Sequence, residues 1–197
     1  MNSENSVKTR KLVLLAILTA IIVVLQLVAA SIKLGPFSIT LALTPIIIGA
    51  ALCGVAAGAC LGLLFGVVVL LSGDAALFLS VSIPGTIITV LMKGMMAGLV
   101  SGLVYRLLEK KNEHAAALCA GIVSPIMNTG VFFLGCLIFF ADFCLEFAAQ
   151  NGFTGNLFSV IAVFWIGGNF FVELAVNVVL AGVIVTLVKS GRKTLKL

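Results

Sequence analysis

The feature that most constrains this chain is a series of apolar runs with the length of membrane-spanning helices. A spanning helix needs about 20 mostly apolar residues. Leu12 to Ala30 meets that length and follows the basic cluster Lys8, Arg10 and Lys11. It resembles a secretory signal only superficially, because its apolar core is long and further spans follow. Ile39 to Leu71 is long enough for two helices, and small residues gather at Cys53-Gly54-Val55, so a split is expected there. Pro84 suits the first turn of a helix running to Leu108. Glu109 to His114 reads as a polar loop, and Asp142 to Asn156 as a mixed acidic and aromatic one. Single strands are much shorter than these runs. The expected fold is therefore all-α: one polytopic membrane domain over 1–197, with six transmembrane helices at roughly 12–30, 39–53, 55–71, 84–108, 115–140 and 157–188.

Composition agrees. Only 10% of the residues are charged and 62% are hydrophobic, where a soluble domain carries about 25% charge. The 20 glycines suit a lipid-embedded bundle, in which small residues let helix backbones approach.

Charge sets the orientation. Of the 12 Lys and Arg, Lys8, Arg10 and Lys11 precede span one, and Arg106, Lys110 and Lys111 lie between spans four and five. Lys189, Arg192, Lys193 and Lys196 follow span six, which leaves Lys33 and Lys93. Six spans put the three clusters on one side, and positive charge marks the cytoplasm, so both termini are expected inside. The net charge of +5 is then a topology signal with some attraction to anionic lipid, and calls for no nucleic-acid partner. The opposite loops contain Lys33, Gly35, Pro36 and Phe37, then Asp74 and Phe78, then Asp142 and Glu146 among several Phe. Such loops either cover a ligand site or pack at the lipid headgroups.

Two ionisable residues fall inside spans, Lys93 in the fourth and Glu173 in the sixth. Each costs about 2.5–3.5 kcal/mol at the bilayer centre on insertion scales, so a functional role is the default expectation. Trp165, Asn169, Glu173 and Asn177 recur at every fourth position, which keeps them near one helix face. Asn128 adds an amide in span five. Two readings fit this set. In one, Lys93 pairs with Glu173 and the amides bond helix to helix. In the other, the same groups line a pocket for a polar small molecule. A proton relay through Lys93 and Glu173 fits less well, since no His or Asp chain accompanies them.

Other signals narrow the choice. Ala16 and Ala20 make an Ala-x-x-x-Ala pattern; Gly58, Gly62 and Gly66, and Gly94, Gly98 and Gly102, repeat at the same spacing. Such faces pack helices closely or dock a partner subunit. No Walker-type loop is present, so ATP hydrolysis by that route is not expected of this chain. His114 is the single His and lies in a polar loop, so a His-based metal or acid–base site is not expected. Cys53, Cys60, Cys119, Cys136 and Cys144 form no Cys-x-x-Cys pair and read as small apolar fillers. Cys136 and Cys144 both fall towards the outer side, which leaves a pairing open. There is no Gly-x-Ser-x-Gly elbow, and no internal repeat of the kind that builds inverted-repeat carriers.

A resemblance adds to this. Ala-x-x-x-Ala in the first helix, Gly35-Pro36-Phe37, Leu43-Thr-Pro-Ile-Ile-Ile-Gly-Ala50, Gly58-Ala-Cys-Leu-Gly62-Leu-Leu-Phe65-Gly66 and Lys93-Gly-Met-Met-Ala-Gly98 occur in that order. With an Asn-bearing fifth helix and a sixth carrying Asn, Glu and Asn, Thr9 to Lys189 resembles the substrate-binding S component of energy-coupling-factor (ECF) vitamin transporters. The resemblance implies a non-enzymatic subunit of the bacterial cell membrane, without cofactor or metal. It would bind a vitamin-like ligand at its outer side and work with a transmembrane coupling subunit and two cytoplasmic ATPase subunits. It implies that Ala16 and Ala20 meet the coupling subunit and that the S component topples in the membrane to deliver its ligand. The substrate-binding residues are then expected to be Lys93, Asn128, Trp165, Asn169, Glu173 and Asn177, with Phe37 and Asp74 from the outer loops. Pantothenate suits Lys93 and the three Asn, although Glu173 opposes a purely anionic pocket; riboflavin is the next candidate. An ion-coupled secondary carrier using Lys93 and Glu173, and a membrane scaffold, are the alternatives.

Overall fold

The computed structural model describes residues 3–31, 33–34, 37–38 and 40–195, with the backbone alone at 3–5, 33–34, 37–38 and 195. Ile39 and the Gly35-Pro36 pair lie outside the described residues, as does the side chain of Phe37. Helix α1 runs from Ser3 to Ser31 without a Gly or Pro to interrupt it. A hairpin of β1 (Lys33–Leu34) and β2 (Phe37–Ser38) follows, paired Lys33 to Ser38 and Leu34 to Phe37.

Helix α2 spans Leu43–Cys53 and α3 spans Val55–Leu71. Gly54 separates them at φ 106°, a conformation that favours glycine, and its N–H closes α2 by donating to the Ala50 carbonyl. The short α4 (Ala76–Leu79) lies in the connection to α5 (Ile83–Leu108). Ser82 caps α5 by accepting from Gly85 N–H, and Pro84 occupies its first turn. Asn112 caps α6 (Glu113–Phe139) by accepting from His114 and Ala115 N–H. Glu113 and His114 therefore belong to a helix rather than to the expected loop. Likewise, 142–156 is not a plain loop: α7 occupies Ala141–Gln150, after a break at Phe140.

The sixth span departs most from expectation. It begins as α8 (Leu157–Ser159), widens into a π-helix over Val160–Ile166, restarts as α9 (Gly167–Val179), and continues as α10 (Ala181–Leu195). A π segment holds one extra residue per turn and recurs at functional sites. Here two glycines, Gly167 and Gly168, sit at the restart. Among the described residues, four helical stretches are long and apolar enough to cross a membrane: 6–31, 83–108, 113–139 and 157–179. Helices α2 and α3 are apolar but shorter.

A glycine seam joins α3 to α5. A Cβ on Gly62 would lie 2.0 Å from the Gly94 carbonyl oxygen, and one on Gly94 2.2 Å from that of Gly62. Gly58 meets Gly98, and Gly66 meets Val90, in the same way. The backbones touch along three turns, and Lys93, next to Gly94, is carried to the α6 and α9 side.

The two ends of the bundle differ. At one, Arg192 on α10 bonds Glu109 and Glu113, the latter at 2.8 Å; Lys189 lies 3.5 Å from Glu113. Arg10 donates to the Thr194 carbonyl there at 2.9 Å. At the other end Phe78, Phe140, Cys136, Cys144 and Trp165 form an aromatic core beneath α4 and α7. The larger apolar core, around Ile22, Ile46, Ile47 and Ile184, fills the rest.

Candidate functional site

The cavity of interest lies on the aromatic side. It is lined by Thr40, Phe65, Val69, Asp74, Lys93, Asn128, Thr129, Phe132, Trp165, Ile166, Asn169, Phe170 and Glu173. Small-molecule sites combine apolar walls with a few placed polar groups, as this lining does. Each wall has a local origin. Helix α3 gives Phe65 and Val69, four residues apart on one face, and the turn after α3 gives Asp74. From α5 comes Lys93, held by the glycine seam. Asn128, Thr129 and Phe132 form one face of α6, just beyond Pro125, which removes a backbone bond inside that helix. The π segment supplies Trp165 and Ile166, and the first turns of α9 supply Asn169, Phe170 and Glu173.

Charge is concentrated here. Lys93 faces both carboxylates, Glu173 and Asp74, and its ammonium lies 5.8 Å from the centre of the Phe132 ring. Glu173 is 3% exposed, and its Oε1 accepts from the Thr40 backbone N–H at 3.1 Å. That bond ties the chain leaving the hairpin to the middle of α9. Gln26 on α1 donates to Asp74 at 3.4 Å. Asn128 is 4% exposed, and its Oδ1 accepts no hydrogen bond from the described residues. A buried acceptor left unmatched costs about 1–3 kcal/mol, so a donor arriving there gains that much.

Trp165 is wedged among rings. Its centroid lies 5.2 Å from Phe78, 5.7 Å from Phe143, 5.2 Å from Phe147 and 5.6 Å from Phe164. Its Nε1–H donates to the Cys144 carbonyl of α7 at 3.3 Å. One edge of the indole thus faces the cavity while the other is fixed under α7.

The structure brings Asp74, Lys93, Asn128, Trp165, Asn169 and Glu173 to one cavity. Asn177 does not line it. Its Nδ2 donates to the Glu173 carbonyl at 2.8 Å, and its Oδ1 accepts from Thr44 at 3.2 Å, joining α9 to α2. Four-residue steps drift around a helix of 3.6 residues per turn, and this drift carries Asn177 onto the α2 side. Phe37 lies in β2, with its side chain outside the described residues. Ala16 and Ala20 are exposed on α1, with Leu18 and Ile22 buried on the opposite face. Thr40, Phe65, Val69, Thr129, Phe132 and Phe170 were not singled out in the sequence. Phe132 had a usable signal, one helical turn after Asn128. Among the described residues, no group of three His, Cys, Asp or Glu is placed to hold a metal ion.

Comparison with known proteins bears on these observations. The family model for the substrate-specific component of ECF transporters matches residues 10–188. No curated protein matches the sequence. Among solved structures, ThiT from Listeria monocytogenes is similar in fold at a TM-score of 0.61 and 22% identity, over 92% of this chain and 98% of that one. A predominantly helical, multi-pass membrane protein whose sequence matches that model over residues 10–188, this chain belongs to the ECF transporter substrate-specific component family.

Proposed function

We propose that this chain captures a vitamin-like micronutrient at the outer membrane surface and delivers it inward with a transmembrane coupling subunit and two cytoplasmic ATPase subunits. The observation that carries this reading is the cavity lined by Asp74, Lys93 and Glu173 together with the unmatched acceptor of Asn128. Helix-to-helix adhesion alone calls for no unmatched buried acceptor. In this reading six spans cross the bilayer, with α2 and α3 as the two short ones. The end bearing Arg10, Arg192 and Lys189 is cytoplasmic, by the positive-inside rule. The cavity then opens on the outer side, under the hairpin, α4 and α7.

The ligand follows from charge balance and shape. Two carboxylates and one ammonium leave the cavity one negative charge in excess, which disfavours a further carboxylate. This moves the preference from pantothenate towards a neutral or cationic ligand with an aromatic ring, the riboflavin-type chemistry being the uncharged case. The rings of Trp165, Phe132 and Phe170 offer stacking surface, and Asn128, Asn169 and Glu173 offer hydrogen-bond partners. Ala16 and Ala20, exposed on α1, form the small-residue face for the coupling subunit.

The test is the energy source of uptake. Cells holding this chain and a coupling module should accumulate the ligand in a manner abolished by ATP depletion and untouched by collapse of the ion gradient. Uptake by this chain alone that survives ATP depletion and stops on collapse of the gradient would instead establish a secondary carrier using Lys93 and Glu173.

A further inference from the structure

A second hollow adjoins the ligand cavity. Val69, Asp74, Lys93 and Phe132 line both spaces, while Thr86 and Thr89 of α5, with Phe78 and Phe140, belong to this recess alone. Thr86, Thr89 and Lys93 follow one another at three- and four-residue steps, so α5 presents them on one face. A threonine hydroxyl inside a helix commonly bonds the carbonyl four residues back. Thr86 does so, donating to the Ser82 carbonyl at 2.7 Å. Thr89 does not: it is 4% exposed, and its Oγ1 makes no hydrogen bond with the described residues. A Cβ on Gly135 would lie 2.5 Å from that oxygen, so a glycine at this point of α6 leaves it room. Phe78 bounds the recess at the aromatic end, its ring centre 4.9 Å from that of Phe140 and 5.5 Å from that of Phe132.

We propose that the recess takes an uncharged, hydroxylated arm of the ligand, with Thr89 as a specificity-determining contact, while the ligand's ring stays in the main cavity beside Trp165. The assignment rests on the capture of a small molecule at this site. The walls select the arm by their chemistry. Lys93 only donates hydrogen bonds, ionised Asp74 only accepts them, and the Thr89 hydroxyl does both. A carboxylate arm would meet Asp74 and an ammonium arm would meet Lys93, like charge against like charge. A hydroxyl donates and accepts through one atom and meets neither penalty. From Lys93 to Thr89 is about one helical turn, about 6 Å along α5, which a short polyol chain can span.

The probes are riboflavin and lumiflavin, the same ring with a methyl group in place of the ribityl arm. Each is titrated by flavin fluorescence onto full-length protein in lipid nanodiscs. The wild type should hold riboflavin at least about tenfold more tightly than lumiflavin. Thr89→Val keeps the branched shape and removes the hydroxyl; it should bring this ratio below about threefold, and Thr89→Ser should restore it. Loss of an unmatched hydroxyl should not lower stability to unfolding in mixed micelles, whereas loss of a structural bond would. If Thr89→Val does not fold, the wild-type ratio decides alone. A wild-type ratio near one, a ratio that Thr89→Val leaves unchanged, or no binding of riboflavin would overturn the inference. Capture itself is read separately, from the compounds that denaturation releases from the purified protein. Such a compound without riboflavin binding overturns the recess assignment and leaves capture standing.

Discussion

Replacing Gly62 by Ala tests the seam that positions Lys93. The added Cβ would lie 2.0 Å from the Gly94 oxygen and 2.7 Å from its carbonyl carbon. Normal contact between such atoms begins near 3.4 Å, so α3 and α5 must part by about 1.4 Å at this point. The obstacle is backbone and cannot rotate away. Overpacking in a tight core costs about 1–3 kcal/mol, and a rigid obstacle argues for the upper end. Parting the helices also loosens the Gly58–Gly98 and Gly66–Val90 approaches on the same line. Ala regains about 1 kcal/mol of helix propensity over Gly. The net loss should be about 2 kcal/mol, a fall in the folding equilibrium constant of about thirtyfold. The assay is equilibrium unfolding in mixed micelles of rising SDS fraction. Gly130→Ala is the control, because a Cβ there meets nothing within 4 Å; it should be neutral or stabilising by up to about 1 kcal/mol. If Gly62→Ala is as stable as Gly130→Ala, the seam argument is wrong.

Other outcomes follow from the same geometry. Glu173→Gln keeps the acceptor for Thr40 N–H but removes the charge; hydrogen bonds to charged groups are worth about 1.5–3 kcal/mol. Ligand affinity, read by titrating the fluorescence of the single Trp, should fall about ten- to a hundredfold; an unchanged affinity removes Glu173 from the site. Ala16→Trp and Ala20→Trp should spare ligand binding and abolish both uptake and co-purification of the coupling subunit, and surviving uptake would exclude that docking face. Arg192→Ala removes bonds to Glu109 and Glu113 from a side chain that is 30% exposed. Solvent screening limits the loss to about 1 kcal/mol, measured by the same SDS titration; no loss means the cytoplasmic-end network is idle.

Much of the fold could be read in the sequence, because lipid leaves few choices for an apolar run. Gly54 signals the α2–α3 break through its lack of a Cβ, and the Gly-x-x-x-Gly pattern signals a close helix pair, though not that α3 and α5 are the partners. The interruption of the sixth span was not legible. Val160 to Ile166 is apolar throughout, and nothing in that run distinguishes a π turn from a continuing α-helix. Helix α7 was hidden because its acidic and aromatic residues read as a loop, while its stability comes from the rings beneath it. Within the cavity, ionisable and amide residues stood out against an apolar background. Apolar walls such as Phe65 and Val69 did not, since only tertiary packing distinguishes them from neighbours facing lipid. Asn177 shows the opposite failure: regular spacing suggested the ligand face, but helical drift turns it towards Thr44.

The central claim is that the cavity around Lys93, Asn128 and Glu173 holds a small molecule. The most direct measurement is quantitative mass spectrometry of what denaturation releases from detergent-purified protein, for the wild type and for Asn128→Leu. The variant removes the unmatched acceptor and fills space with an apolar group. The account predicts one vitamin-like compound near stoichiometric amounts in the wild type and its loss from the folded variant. A wild type that carries no ligand and binds none from a vitamin panel, or a variant that retains the compound in full, would contradict it.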